Sequence, residues 1–324
     1  MIPWEQIDWT ANALRWIRSS LAAQGRTLTG AITHPHLRPW STVMQVPTDI
    51  GPVYFKAVIP ALEHEPALTE ALARWQPDIA PEVLALDTNR GWLLLANGGQ
   101  SLRSLVKPKR DWQRWEPVLR RYAAMQIDLA PRAPDMLALG VLDRRLSTLT
   151  DQFAALLADT PALLINQPDG LTITQHDALR AELPAFRNLC TDLAAFGLPE
   201  TLHHDDFHGA NIFVRGERLT FADWGEAAVA HPFFTLKVAL RSVAYHLELD
   251  ADGPEIAHLR DAYLDAWSDY GDSATLHAAF ELSQRLAAVA RALTWYAAVR
   301  DLPVAQKAEY ADSVPGWLLV YLGG

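Results

Sequence analysis

One cysteine in 324 residues, Cys190, leaves no partner for an internal disulfide and no set of thiolates for zinc. Lysine is nearly as scarce. Of the 28 basic residues only Lys56, Lys107, Lys109, Lys237 and Lys307 are lysines, which leaves 23 arginines. A chain that uses arginine for generic positive charge makes a lysine inside an apolar strand informative. Positive charge is itself in deficit, 28 residues against 38 acidic ones for a net charge of −10. No basic stripe is present, which argues against nucleic acid as a partner. No apolar run reaches the roughly 18 residues that span a bilayer, and the opening stretch lacks a basic segment followed by an apolar one. We therefore expect a soluble, cytoplasmic protein with no membrane partner. Repeats, low-complexity tracts, a Gly-x-Gly-x-x-Gly and a Walker A sequence are all missing. Apolar sequence is plentiful. With 50% hydrophobic residues and 12 Trp the chain is globular, and disordered, collagen-like and coiled-coil readings fail.

The period of the apolar residues changes along the chain. Helical spacing over 4–23 (Leu14, Ile17, Leu21) gives way to short strand-like runs at 28–33, 42–46 and 53–58, with turn chemistry at 48–52. A helix is predicted over 65–75, then strands at 83–86 and 92–95 joined by a turn. Gly98-Gly99 interrupts the pattern. Beyond it helices are predicted at 111–129, 141–157, 176–193 (broken or kinked by Pro184), 232–247, 254–270 and 274–299. One β-rich island, 211–223, contains a small hairpin. This predicts an α+β protein of two lobes, a β-rich lobe over 1–97 and a helical lobe over 98–324, with a ligand cleft where they meet.

The densest polar cluster runs from His203 through His204, Asp205, Asp206 and His208 to Asn211, and Asp223 follows 12 residues later. Apolar stretches frame it on both sides, so it is expected to enter the interior, where each polar group needs a partner. An Asp to take a hydroxyl proton, with an Asn and a second Asp offering hard oxygen atoms, suits phosphoryl transfer with Mg²⁺.

The ordered set His204, Asp206, Asn211 and Asp223, followed by the His231-Pro232-Phe233-Phe234 stretch, resembles the catalytic segment of the aminoglycoside phosphotransferases. These share a protein-kinase-like fold with the choline and homoserine kinases. The five-residue step from Asp206 to Asn211 fixes the register; Asp205 would give six. The resemblance implies that Asp206 is the catalytic base, that Asn211 and Asp223 hold Mg²⁺, and that His204 orients the loop. Asp205 stands where the family commonly has Gly, so that backbone position must accept a side chain. The likeness is strong over 202–233, moderate over 53–98 and weak elsewhere.

Such a site also needs a cation on the nucleotide phosphates, held by a helical carboxylate. Lys56, the first lysine of the chain and set in an apolar strand, is the candidate; the plain alternative is an edge-strand lysine facing water. Glu65 fits the family's spacing for its partner, with Glu70 as the alternative. The nucleotide loop is expected within 34–41, where backbone N–H groups and Ser41 would meet phosphate, and family position puts the purine-binding hinge near Leu95 and Asn97. ATP, or GTP in its place, is the expected donor and a small hydroxyl compound the acceptor. Nine acidic residues between Glu248 and Glu281, with Asp261, Asp265 and Asp269 four apart, form either a wall for a cationic acceptor or a solvated helix face; the solvated face is the commoner case. Most Trp residues read as core, with Trp224 singled out for its place beside Asp223. Two rival readings remain: a silent pseudokinase, and a metal-dependent hydrolase built from His203, His204, His208, His231, Asp205, Asp206 and Asp223.

Overall fold

Strand alternation sets the architecture of the front of the chain. The computed structural model describes residues 2–323. The strands β1 (Thr33–Leu37), β2 (Ser41–Val46), β3 (Val53–Val58), β4 (Val83–Asp87) and β5 (Trp92–Ala96) form an antiparallel sheet in the order β1-β2-β3-β5-β4. In β3 the residues Val53, Phe55 and Ala57 are buried under helix α1 (Trp9–Ala23). Trp9 and Trp16 meet Phe55 and Trp92 there in tilted and edge-on contacts, with ring centroids 5.7–6.1 Å apart. Successive side chains point to opposite faces, so Tyr54 and Lys56 turn away from α1 and line a cleft with Val43 and Leu95. β3 is the central strand, which excludes the edge-lysine alternative. A one-residue slip of β3 would drive Lys56 into the tryptophan cluster.

The first strand lies at 33–37 rather than 28–33. Pro35, which has no N–H to give, sits where the β1–β2 pairing shifts register on this edge strand. Leu28 makes only an isolated bridge to Thr48. The connection expected over 34–41 shrinks to Arg38, Pro39 and Trp40. Trp40 is buried and packs edge-on against Trp295 (5.4 Å) and Tyr310 (4.7 Å), which pins the hairpin tip to the C-terminal helices.

Six short strands follow: β6 (Gln100–Ser101), β7 (Leu142–Arg144), β8 (Thr201–His204), β9 (Ile212–Arg215), β10 (Arg218–Phe221) and β11 (Ala227–Ala230). They form two three-stranded sheets, β10-β9-β6 and β7-β11-β8. β7 falls where a continuous helix over 141–157 was predicted. It becomes a strand because β11 supplies a parallel partner from far along the chain, and the helix starts only at Leu146. The link from β5 to β6 crosses the β9–β10 hairpin so closely that a Cβ on Gly99 (φ +110°) would lie 2.3 Å from the Val214 carbonyl oxygen. Only glycine fits there.

Helices make up most of the remainder. The predicted helix over 176–193 is two, Ile173–Ala181 and Leu183–Ala194, with Pro184 in the first turn of the second, where a missing N–H costs nothing. The helix predicted to reach residue 270 ends at Asp265, and Ser268–Tyr270 is a separate turn. No described helix is long and apolar enough to cross a membrane.

Candidate active site

The segment 205–211 joins the fully buried strand β8 to β9, and 222–226 joins β10 to β11. The Ala222 N–H donates to the Asn211 carbonyl (2.9 Å), tying the two loops together. Phe207 anchors the first loop by packing on Tyr122 (4.2 Å between centroids) and Phe221 (5.5 Å). His204 is the strut between the loops. Its Nδ1 accepts from the Asp206 N–H (3.2 Å), so Nε2 carries the hydrogen and donates to the Ala222 carbonyl (3.0 Å). Burial lowers its pKa to about 4, so it serves uncharged. Trp224 packs against it at 4.7 Å and donates its indole N–H to Phe221, which makes this tryptophan a wall of the strut.

Both oxygens of Asp206 are held. Oδ2 faces His208 Nε2 and Asn211 Nδ2, each at 3.2 Å, and Oδ1 lies 3.3 Å from Arg291 Nη2. Burial would raise its pKa, but His208 and Arg291 outweigh that and keep the carboxyl well below the usual range. Asn211 Nδ2 also donates to the Asp206 carbonyl (3.0 Å), which leaves the amide oxygen available to the cleft. Asp223 adopts φ +70°, a conformation rare outside glycine, and its side chain opens on the same cleft.

Lys56, 5% exposed, joins the halves of the site. Its Nζ lies 2.6 Å from Glu65 Oε1 and 2.5 Å from Asp223 Oδ1. Burial disfavours the charged amine, yet Asp223 and Glu65 together hold its pKa above the ordinary value. Glu65 opens helix α2 (Glu65–Trp75); its Oε1 also accepts the Trp224 N–H (2.9 Å), and burial pushes its pKa up against the pull of Lys56. Glu70 lies on the outer face of α2 beside Arg74 (3.5 Å).

Leu95 sits in β5 between Tyr54 and Val83 and lines the cleft, as does Asn97. The Ala96 N–H is taken by the Glu82 carbonyl, the Asn97 side chain accepts from the Gly99 N–H (both 2.9 Å), and the Asn97 carbonyl is capped by the Arg215 guanidinium. Ser41 stands apart. It begins β2, its hydroxyl pairs with His36 Nε2 (3.1 Å), and it is not among the residues lining the cleft.

No protein-family model matches the sequence, and no curated protein matches it. Solved structures do. An ethanolamine kinase from Plasmodium vivax superposes with a TM-score of 0.62 at 12% identity, covering 98% of this chain and 88% of its own. A choline/ethanolamine kinase family protein from Mesorhizobium loti gives 0.62 at 16% identity, with 96% and 95% covered. A macrolide 2′-phosphotransferase from Brachybacterium faecium gives 0.57 at 16%, with 93% and 97% covered. The chain has the kinase-like fold.

Within this kinase-like fold the oxygen donors suit a hard cation. The Asn211 amide oxygen and the Asp223 carboxylate face one cleft, and Mg²⁺ takes one or two carboxylates with phosphates and waters completing its shell. The donors do not suit a hydrolase built on transition metals. His203 is spent on Thr235 (2.8 Å) and Asp205 (3.1 Å), and His204 on the two loops. Among the described residues no three His, Cys, Asp or Glu side chains converge as a metal cage.

Several features escaped the sequence reading. Asp205 takes its side chain inward, 2% exposed, to His203 and Arg291. Arg291 itself reaches Asp206 from the helix Ser273–Val299. Its signal was available, one charge in an apolar run, but the abundance of arginine concealed it. Two of the acids over 248–281 have partners: Asp261 pairs with Arg260 and His277, and Asp265 with Arg120. Asp269 lies beyond the end of their helix, and Asp272 caps the next one. For Asp261 and Asp265, solvent-accessible and paired, this agrees with the solvated-face reading.

Proposed function

We propose that the protein is a phosphotransferase that moves the γ-phosphoryl group of a nucleoside triphosphate, ATP or GTP, to a hydroxyl of a small molecule. One observation carries the reading: the buried Lys56 bridges Glu65 and Asp223, and the same cleft is lined by Asn211, whose amide holds the Asp206 carboxylate. Residues 1–97 would bind the nucleotide, with Leu95 and Asn97 at the base and Lys56 on the phosphates. Residues 98–324 would supply the catalytic loop and the acceptor site. A triphosphate donor is in keeping with a cytoplasmic location.

In this mechanism the acceptor hydroxyl passes its proton to the Asp206 carboxylate as its oxygen bonds to the γ-phosphorus. The bond from that phosphorus to the β,γ-bridging oxygen breaks, and the nucleoside diphosphate leaves. Lys56, steadied by Glu65, neutralises phosphate charge, and His204 holds Asp206 in line through the loop backbone. Mg²⁺, bound through Asn211 and Asp223, would supply further charge neutralisation on the phosphates. Ionised Asp206 is the form that can accept the proton, and its low pKa keeps it so at neutral pH.

The test is thermal unfolding with Mg²⁺ plus ATP, and separately GTP, on wild type and Asp223→Ala, followed by an acceptor screen by ADP release. Ligand at about 100 times Kd adds roughly 2.7 kcal/mol, so a clear rise in Tm for wild type and a smaller one for the variant are expected. No shift with either nucleotide at millimolar concentration would overturn the reading. Binding without turnover over a broad acceptor panel would favour the pseudokinase.

A further inference from the structure

We infer that Arg291 is the positioning residue of the Asp206 carboxylate; the inference rests on Asp206 being the base of the proposed transfer. The helix Ser273–Val299 is apolar around it, with Val289, Ala290, Ala292 and Leu293 all buried. A guanidinium 5% exposed in that setting is costly to desolvate. It is kept there by three carboxylates from the two catalytic loops. Nη1 contacts Glu226 Oε2 and lies 3.6 Å from Asp205 Oδ2, while Nη2 lies 3.3 Å from Asp206 Oδ1. One turn along, Trp295 lies beside the guanidinium, 5.3 Å from carbon to ring centroid. Asp205 is steadied in turn by His203 (3.1 Å).

A buried cluster of one cation and three acids is a poor means of gaining stability, since apolar residues of similar volume do as well or better. What the fork supplies is direction. Arg291 fixes Oδ1 of Asp206, and His208 with Asn211 fixes Oδ2, so the carboxylate is held from both sides. Without the arginine, Asp205, Asp206 and Glu226 would share one small space with no cation between them, and repulsion would turn Asp206 away. Lysine keeps the charge but lacks the planar fork that reaches carboxylates on different segments.

The experiment compares wild type, Arg291→Lys, Arg291→Ala and Asp206→Asn. Its probe is MgATP with water as acceptor, read as ADP release, alongside calorimetric binding of MgADP to the same preparations. Arg291→Ala should release ADP about 100-fold more slowly, the cost of a misplaced catalytic group, with MgADP affinity unchanged. Arg291→Lys should fall between, and added methylguanidinium should speed Arg291→Ala but not Asp206→Asn. An active Arg291→Ala beside an inactive Asp206→Asn overturns the positioning role and leaves the base in place. An active Asp206→Asn overturns the base, and this inference with it. Rate and MgADP affinity falling together, without rescue, mean a structural role only and also overturn it. Should Arg291→Ala not fold, Arg291→Lys carries the comparison. Should wild type release no ADP with water, a crystal structure of Arg291→Gln decides: a turned Asp206 carboxylate supports the inference, and an unmoved one overturns it.

Discussion

Replacing Glu65 by Ala, with Glu70→Ala as its control, separates a buried charge partner from a surface one on the same helix. Glu65 is 1% exposed, and its Oε1 accepts from both Lys56 Nζ and the Trp224 N–H. Breaking a buried pair from one side costs about 3–5 kcal/mol, and the orphaned Trp224 N–H costs about 1–3 kcal/mol on its own. These overlap, and Lys56 keeps Asp223, so the expected loss is about 4 kcal/mol. At about 2.1 cal/mol/K per residue the unfolding entropy is near 0.7 kcal/mol/K for this chain, so Tm should fall by about 6 °C. Glu70 lies on the surface with Arg74 at 3.5 Å, and such a pair is worth only about 0.3–0.5 kcal/mol. Its loss should move Tm by less than about 1 °C. Calorimetry gives both values, and MgADP binding should weaken in Glu65→Ala alone, because Lys56 then leans wholly on Asp223. Equal Tm shifts in the two variants would refute the reasoning, and so would unchanged MgADP affinity in Glu65→Ala.

Burial lowers the pKa of His64 to about 4, so the unfolded chain binds a proton below the ordinary value of 6.5 while the folded chain does not. Its share of stability is complete above pH 6.5 and is lost as pH falls toward 4, at up to about 1.4 kcal/mol per pH unit. Urea unfolding at pH 7 and pH 5 should therefore show a smaller acid loss in His64→Gln than in wild type; equal losses would remove the argument. Gly99→Ala should cost more than about 3 kcal/mol, because its Cβ would meet the Val214 carbonyl oxygen at 2.3 Å as well as bearing the left-handed φ, whereas Gly197→Ala at φ +74° meets nothing and should cost about 1–2 kcal/mol. Denaturant titration of the pair tests this, and similar losses would place no value on the close approach. Trp40→Ala should cost about 3–5 kcal/mol and speed hydrogen exchange of the Arg38 amide, which donates to the Ser41 carbonyl (2.9 Å), since Trp295 and Tyr310 hold that tip in place. An unchanged exchange rate would mean the tip is held by other contacts.

Local order was readable along the chain. The spacing of His204, Asp206, Asn211 and Asp223 lies within 20 residues, so two short loops and one hairpin bring these side chains together with little help from the rest of the molecule. Lys56 could be read from alternation: in β3 Tyr54, of like parity, faces the cleft with it, and Val53, Phe55 and Ala57, of opposite parity, face α1. The first strand lies at 33–37 although Pro35 weakens its strand propensity, because β2 pairs with that segment and Leu28 makes only an isolated bridge.

Sequence by itself determined the residue types of the site, their order and the two-period character of the chain, because these depend on near neighbours and on side-chain chemistry. Tertiary structure alone decided which carboxylate meets Lys56, since Glu65 and Glu70 share a helix and differ only in the face turned to the sheet. It alone gave Asp223 its left-handed backbone, paired Asp261 and Asp265 with nearby arginines and a histidine, and brought Arg291 across 85 residues to Asp206. Those outcomes depend on the rotation and packing of whole elements against one another, and long-range packing leaves no periodic trace in the residues it joins.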